Sequence, residues 1–200
     1  MSANDLAPIT NRPYSVISLD QGTEAWHHWR SQGLGASDAP TIMGENPWKS
    51  RDELLHEKVH DVRTPTNAAM ARGTALEPEA RRSYEMRTGR TVRPVCLQST
   101  THEWLLASID GLADDHSSVV EIKCGESVYR RSSTSKRVPD YYVGQLQHIL
   151  AVTGLREIDF WCYLPDLPAV HLRVARDERY IQRLLVEEEK FWAEIRRGRG

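Results

Sequence analysis

The sequence predicts an α/β (α+β) domain with a central mixed β-sheet flanked by helices, and three observations predict it. Stripes of helical period and runs of strand period alternate along the 200 residues, with no internal repeat and no interior linker. Two strand runs, residues 104–112 and 119–123, flank the cluster Asp114-Asp115-His116-Ser117, whose turn chemistry makes them a hairpin. A composition of 40% hydrophobic and 27% charged residues is that of an ordinary globular chain, which excludes disordered and fibrous classes. One domain over residues 1–200 accommodates this length.

Charge and cysteine usage exclude further classes. A net charge of −2 points to no nucleic-acid partner by itself, so any such contact must come from local basic clusters. Cys96, Cys124 and Cys162 are odd in number and far apart, which argues against a disulfide framework, a zinc ribbon or an iron-sulfur site and for a reduced, intracellular setting. No basic segment followed by an apolar run opens the chain, and no apolar stretch approaches membrane-spanning length.

Residues 1 to about 20 carry Pro8 and Pro13 without a clear period and read as an extended arm. Trp26, Trp29 and Arg30 fall at helical spacing, and Gly33 and Gly35 end that helix. Ser37 reads as the N-cap of the next one, which would set free backbone N–H groups beside the Arg30 guanidinium, an anion site in outline. The plainer reading is a helix-loop-helix with core tryptophans. Ser50-Arg51-Asp52-Glu53 is a capping box that opens a short amphipathic helix through Leu54, Leu55 and Val59. Within it, His56-Glu57-Lys58-Val59-His60 matches the zinc-protease pattern H-E-x-x-H, with Glu77 and Glu79 as conceivable third ligands. A charged Lys58 inside the motif, and eight histidines in the chain, count against zinc hydrolysis.

Residues 67–88 read as a helix closed by Gly89, with Gly73, Glu77, Ala80 and Tyr84 on one stripe. Pro78 removes a helical hydrogen bond and should kink or restart the helix near Glu77. A carboxylate on a small, apolar stripe needs a partner, unless it is an exposed glutamate at a helix break. A strand over 92–99 precedes the hairpin. Residues 129–137, with Arg130, Arg131, Lys136 and Arg137, read as a polar basic loop, mobile without a partner. Pro139 starts a helix with Tyr142, Gln145, Leu146 and Ile149 on its stripe, ending at Gly154. Strands over 157–164 and 169–174 follow, and Asp177 caps a last helix that ends in Arg196-Arg197-Gly198-Arg199.

The hairpin carries the chemistry. Val119, Glu121 and Lys123 share one strand face, and Val120 and Ile122 the other. A turn between Asp115 and His116 sets Asp110 opposite Glu121. Directly opposed carboxylates destabilise a sheet, so a lysine two residues on suggests a hard cation between them, with Lys123 as a general base or water-positioning group. The bland alternative is that Asp110 opens a turn and Glu121 and Lys123 line a solvated face.

With these motifs quoted, the chain resembles the phage lambda exonuclease and YqaJ-type viral recombinase family, a branch of the PD-(D/E)xK nucleases, over about residues 21–195. Trp26 through Arg30 with Gly35-Ala36-Ser37 resembles its N-terminal signature, and Gly73-Thr74-Ala75-Leu76-Glu77-Pro78 its helix carboxylate motif. Ser108-Ile109-Asp110-Gly111 and Glu121-Ile122-Lys123-Cys124 resemble its catalytic pair, and Gln145-Leu146-Gln147 its glutamine motif. Ile109 departs from the proline in the superfamily's name, while Asp110 keeps the ligand.

The resemblance implies a PD-(D/E)xK nuclease-like core and a Mg²⁺-dependent exonuclease, with Mn²⁺ as a substitute and two ions per site. It would degrade one strand of duplex DNA from the 5′ end, as a homotrimeric ring, alongside a single-strand annealing protein, in the cytoplasm of a bacterial host of phage or prophage. Asp110, Glu121 and the Ile122 carbonyl would bind metal, and Glu77 a second ion or its waters. Lys123 and Gln145 would position or activate water. Arg30, Ser37 and Ser108 would hold the 5′-phosphate, Met70 would stand as an apolar wedge, and Arg130, Arg131, Lys136 and Arg137 would contact DNA. Competing readings are a restriction-type endonuclease with the same core, a non-catalytic DNA-binding module, and the zinc peptidase.

Overall fold

The computed structural model describes residues 12–200 apart from 64 and 66, so the arm expected over residues 1–20 lies outside the described residues up to position 11. Its remainder is more than an arm. Tyr14–Ile17 forms strand β1, paired antiparallel with β3 (Val92–Ser99). Helix α1 (Glu24–Ser31), the two-residue strand β2 (Leu34–Gly35), a 3-10 turn (Ala36–Asp38) and the short α2 (Ala39–Ile42) follow. Next come α3 (Arg51–His60) and α4 (Ala68–Thr88). The hairpin expected from the sequence is β4 (Leu105–Ala113) and β5 (Val119–Lys123). After it stand α5 (Glu126–Ser135), α6 (Asp140–Thr153), β6 (Glu157–Cys162), β7 (Val170–Ala175) and α7 (Glu178–Arg199).

The seven strands make one sheet in the order β1-β3-β4-β5-β6-β7, with β2 beside β4. The β5–β6 and β2–β4 pairs are parallel and the others antiparallel, the mixed sheet expected from the sequence. Helices cover both faces. Leu146, Ile149 and Leu150 of α6 pack with Val119, Ile109, Leu112 and Phe160 on one side. Ala80 and Tyr84 of α4 pack with Val120, Ile122 and Trp161 on the other. Alternate residues of β5 therefore feed opposite cores, as period 2 demands.

Three expectations need correction. Residues 129–135 are helical: α5 buries Val128 and Ser132 against the sheet, and this buried face, one turn long, outweighs a polar composition. Pro78 neither ends nor restarts α4, which runs unbroken for 21 residues from its Asn67 cap to Gly89 at φ +70°. Trp26 and Trp29 are not core residues, since α1 buries none of its side chains.

A buried ion pair locks two helices to β4. His148 on α6 and Glu188 on α7 are both fully buried, with Nδ1 to Oε1 at 2.6 Å. The other ring nitrogen donates to the Leu106 carbonyl at 2.8 Å. Burial opposes charge on His148, but Glu188 and that carbonyl outweigh it and raise its pKa. Removing one member leaves an uncompensated buried charge, a loss of about 3–5 kcal/mol. In chemical denaturation, His148→Leu should therefore lose about that much stability. Because the His148 pKa is raised on folding, its contribution is full below about pH 6.5 and fades as pH rises through the folded-state value. A His148→Leu variant as stable as the wild type at neutral pH would refute the pair.

Candidate active site

The site begins with a slip in register. Arg93 of β3 faces Leu112, whereas Val95 faces Ile109, so two steps on β3 match three on β4. Strand β4 therefore bulges at Asp110 and Gly111, which lets Ile109 and Leu112 turn to the same core and frees Asp110 from strict alternation. Gly111 suits the crowding there, because a Cβ would come within 2.7 Å of Val120 Cγ1 and 2.8 Å of Val92 Cγ2. Gln21 closes the bulge, its amide donating to the carbonyls of Val95 at 3.3 Å and Ile109 at 3.0 Å.

On the other flank of β4 the ladder to β5 runs through Leu112–Val119 and Gly111–Val120 and then stops. The next pair in that register is Asp110 and Glu121, as the turn position predicts. Instead of a ladder bond, the Ile122 N–H donates to Asp110 Oδ2 at 2.8 Å. The Lys123 carbonyl accepts from the Tyr163 N–H, past the end of β6, so Ile122 turns its own carbonyl to the β4 side, towards Asp110. Arg81 on α4 donates to the Asp110 carbonyl at 2.8 Å and fixes the strand from the opposite face.

Glu121 is 2% exposed, yet a single oxygen makes all its contacts. Its Oε1 accepts from Lys123 Nζ at 2.5 Å and Gln145 Nε2 at 2.6 Å. Its Oε2 is buried with no partner. Burial, then the Asp110 charge, pushes Glu121 up to about 7, and the same two causes in the same order push Glu77 up to about 7. Asp110 is also raised by burial, against the pull of Lys123. Burial disfavours the Lys123 cation, but Glu121, Tyr142 and Asp110 outweigh it and hold its pKa above the ordinary value. Three carboxyls against two cations, Lys123 and Arg81, make a site short of positive charge.

These residues fit a hard divalent cation. The partnerless Glu121 oxygen, Asp110, Glu77 and the Ile122 carbonyl are all oxygen donors of the kind Mg²⁺ and Mn²⁺ take. Among the described residues no group of three or more His, Cys, Asp or Glu side chains stands as a ready metal cage. Lys123 and Gln145 hold one Glu121 oxygen, and the Ile122 N–H holds one of Asp110.

A second cluster adjoins the carboxylates. Arg30 Nη2 donates to Ser37 Oγ at 2.8 Å, its guanidinium lies 4.8 Å from the Trp26 ring centroid, and Trp26 Nε1 donates to Ser108 Oγ at 2.8 Å. Ser37 does not cap a helix, as expected from the sequence, but sits inside the 3-10 turn whose cap is Gly35. Asp38 shapes that turn. It accepts from the Gly35 N–H at 2.8 Å and pairs with Lys58 at 2.6 Å, while Lys58 also donates to the Gly33 carbonyl at 3.0 Å. Burial raises the Asp38 pKa, but Lys58 and Arg30 outweigh it and leave the carboxyl below its ordinary range.

One cleft of about 510 Å³ brings together Arg30, Ser37, Met70, Glu77, Ser108, Asp110, Glu121, Ile122, Lys123 and Gln145. Arg130, Arg131, Lys136 and Arg137 do not line it; they are exposed on α5 and its C-terminal cap. The zinc-protease match is a surface feature, with exposed His56 and His60 rings 4.5 Å apart. Glu57 pairs with Lys49, Glu79 accepts from Tyr163, and Glu77 faces the cleft, so among the described residues no third ligand joins the histidines. Sequence reasoning missed Gln21, Asp38 and Arg81, which carry no motif. The misfit Lys58 inside H-E-x-x-H was the visible trace of the Asp38 pair.

The pattern of the YqaJ-like viral recombinase domain family matches residues 25–156. Uncharacterized protein YqaJ of Bacillus subtilis (strain 168) is 27% identical over 192 residues, covering 92% of this chain. The chain spans 60% of the length of that curated relative. Among solved structures, the alkaline exonuclease LHK-Exo from Laribacter hongkongensis is similar at 31% identity and a TM-score of 0.78, over 87% of this chain and 93% of its own. LHK-Exo in complex with dAMP matches at the same TM-score and 30% identity, with the same coverage of both chains. A phage related exonuclease from Haemophilus somnus 129PT, 13% identical with a TM-score of 0.61 over 82% of this chain and 93% of its own, shares the fold.

The raised carboxyls make a prediction about metal that needs no activity assay. Groups with an ordinary value of 4.5 raised to about 7 leave the folded state holding more protons than the unfolded one between those values. Stability therefore falls as pH rises through that window, and a bound divalent ion offsets the loss. At pH 8, Mg²⁺ at about a hundred times its Kd should add roughly 2.7 kcal/mol of stability. Glu121→Gln should raise the metal-free Tm and lose most of the Mg²⁺ shift. An unchanged Mg²⁺ shift in that variant would show that the ion binds elsewhere.

Proposed function

The chain belongs to the YqaJ-like viral recombinase domain family, and we propose that it is a Mg²⁺-dependent exonuclease that degrades one strand of linear duplex DNA from the 5′ end. The observation that carries this reading is the shared cleft: the carboxylates and Lys123 adjoin an Arg30–Ser37–Ser108 cluster suited to a terminal phosphate. Similarity to the alkaline exonuclease LHK-Exo, also solved with dAMP, supports it.

Asp110, Glu121 and the Ile122 carbonyl would hold one divalent ion and Glu77 a second or its waters, with Mn²⁺ able to replace Mg²⁺. Bound there, such ions supply Lewis acidity and neutralise the charge that builds as an anionic phosphodiester is attacked. Lys123 contributes a partly buried ammonium that donates a hydrogen bond, which suits orienting the attacking water better than abstracting its proton. Gln145 keeps Lys123 and Glu121 aligned through the shared Oε1. Arg30 offers a flat fork to phosphate oxygens, braced by Trp26, and Ser37 and Ser108 add hydroxyls. Ser108 stands two residues before Asp110, so the phosphate pocket and the cleavage centre are built from one strand. Met70, half exposed over the cleft, is placed to wedge the terminal base pair.

Digestion of this kind leaves 3′ single-stranded overhangs for phage-type recombination by single-strand annealing. A homotrimeric ring on DNA, and an annealing protein as partner, complete the reading. A restriction-type endonuclease would share Asp110, Glu121 and Lys123 but has no use for a terminal-phosphate pocket. A closed plasmid circle separates the two, because the proposed enzyme leaves it intact and digests it once linearised. On linear duplex, Arg30→Ala should lower activity about ten-fold to more than one hundred-fold when the 5′ end is phosphorylated, since charge-assisted contacts are worth roughly 1.5–3 kcal/mol. The loss should be smaller on 5′-hydroxyl ends. Equal losses on both ends would assign Arg30 to general backbone binding.

A further inference from the structure

Trp48 is 73% exposed and takes no part in the buried core. Its backbone is not loose. The Trp48 N–H donates to Asn46 Oδ1 at 2.9 Å, and the Asn46 amide donates to Thr41 Oγ1 at 2.8 Å, so the loop after α2 presents the indole deliberately. The indole meets Tyr141 edge-on at 4.7 Å between ring centroids, and Tyr141 meets Tyr142 at 4.8 Å. Tyr142 lines the active cleft, with Lys123 Nζ 4.8 Å from its ring centroid. Arg131, exposed on α5, lies over Tyr141 at 5.6 Å. Three rings thus run without a gap from the catalytic lysine to open solvent, with a guanidinium beside the middle one.

We propose that Tyr142, Tyr141 and Trp48 form a stacking track for the unpaired bases of single-stranded DNA leaving or entering the cleft, with Arg131 serving its backbone. The inference rests on the nuclease reading for the direction of the track, and it names a contact surface that reading does not need. Aromatic rings alternating with cations are the chemistry by which proteins hold single strands without reading sequence, because every base has a π-face and every linkage a phosphate. Continuity of Tyr142 with the cleft, and the exposed Arg131 guanidinium over Tyr141, favour a polyanion over an apolar protein partner. Arg130 contributes less, since it is paired with Glu126.

The test is binding of a labelled twelve-thymidine oligonucleotide in metal-free buffer, read by fluorescence anisotropy at fixed salt. Trp48→Ala and Tyr141→Ala should each weaken binding by about fivefold to a hundredfold, as loss of one stacked base does. Trp48→Phe and Tyr141→Phe, which keep a ring, should stay close to wild type. Arg131→Ala should weaken binding and flatten its salt dependence. Unaltered affinity in Trp48→Ala would overturn the track, and so would a change in sedimentation without a change in affinity, which would make Trp48 a contact between protein chains. Cleavage of linear duplex by the wild type, measured in parallel, keeps the two readings apart. A wild type that cleaves while the alanine variants bind normally defeats the track alone, whereas a wild type that fails to cleave but binds through Trp48 defeats the nuclease reading alone.

Discussion

The slip of one residue in β4 is the constraint on which the site depends. A regular strand would send Ile109 and Leu112 to opposite faces, yet both are needed in the same core. The extra residue resolves this and leaves Asp110 in the opening where β4 and β5 part. There it meets Glu121 and Lys123 from one side of the sheet and Glu77 on α4 from the other. Everything around the bulge serves to hold it: Gly111 where no Cβ fits, Gln21 on the exposed carbonyls, and Arg81 on the Asp110 carbonyl. His148 anchors the same strand four residues earlier by its bond to the Leu106 carbonyl.

Two buried acid clusters flank this strand and show how charge decides role. Asp38 is matched by Lys58 and an N–H, its pKa falls, and it builds a turn. Glu121 and Glu77 are not matched, their pKa values rise to about 7, and one Glu121 oxygen has no partner at all. A saturated cluster stabilises the fold, while an unsaturated one lowers stability and gains affinity for a cation. For Asp38 and Glu121 the difference lies in partner count, because both carboxyls are buried.

The sheet and most helices were legible in the sequence because their signals are local. The hairpin is the best case: turn residues at 114–117 set a register that brings Asp110 opposite Glu121, and the ladder keeps it. What failed has one physical origin, tertiary context. Residues 129–135 look like a solvated loop until Val128 and Ser132 find the sheet, and Ser37 looks like a cap until Asp38 claims the Gly35 N–H. Pro78 stays inside an unbroken helix whose Ala80 and Tyr84 are buried against β5 and β6. The bulge itself could not be read, since it appears only in how β3 is paired, and Gln21 has no meaning without it.

The cluster beside the bulge is proposed to hydrolyse DNA from a phosphorylated end with the help of a divalent ion. The most direct measurement follows a linear duplex labelled at one 5′ end and, in a second sample, at one 3′ end, through the first seconds after Mg²⁺ is added. The 5′ label should leave as a mononucleotide at once while the 3′ label stays on long strands, and chelation or Glu121→Gln should stop the release. Early loss of the 3′ label, internal fragments, or release that persists in Glu121→Gln would contradict the account.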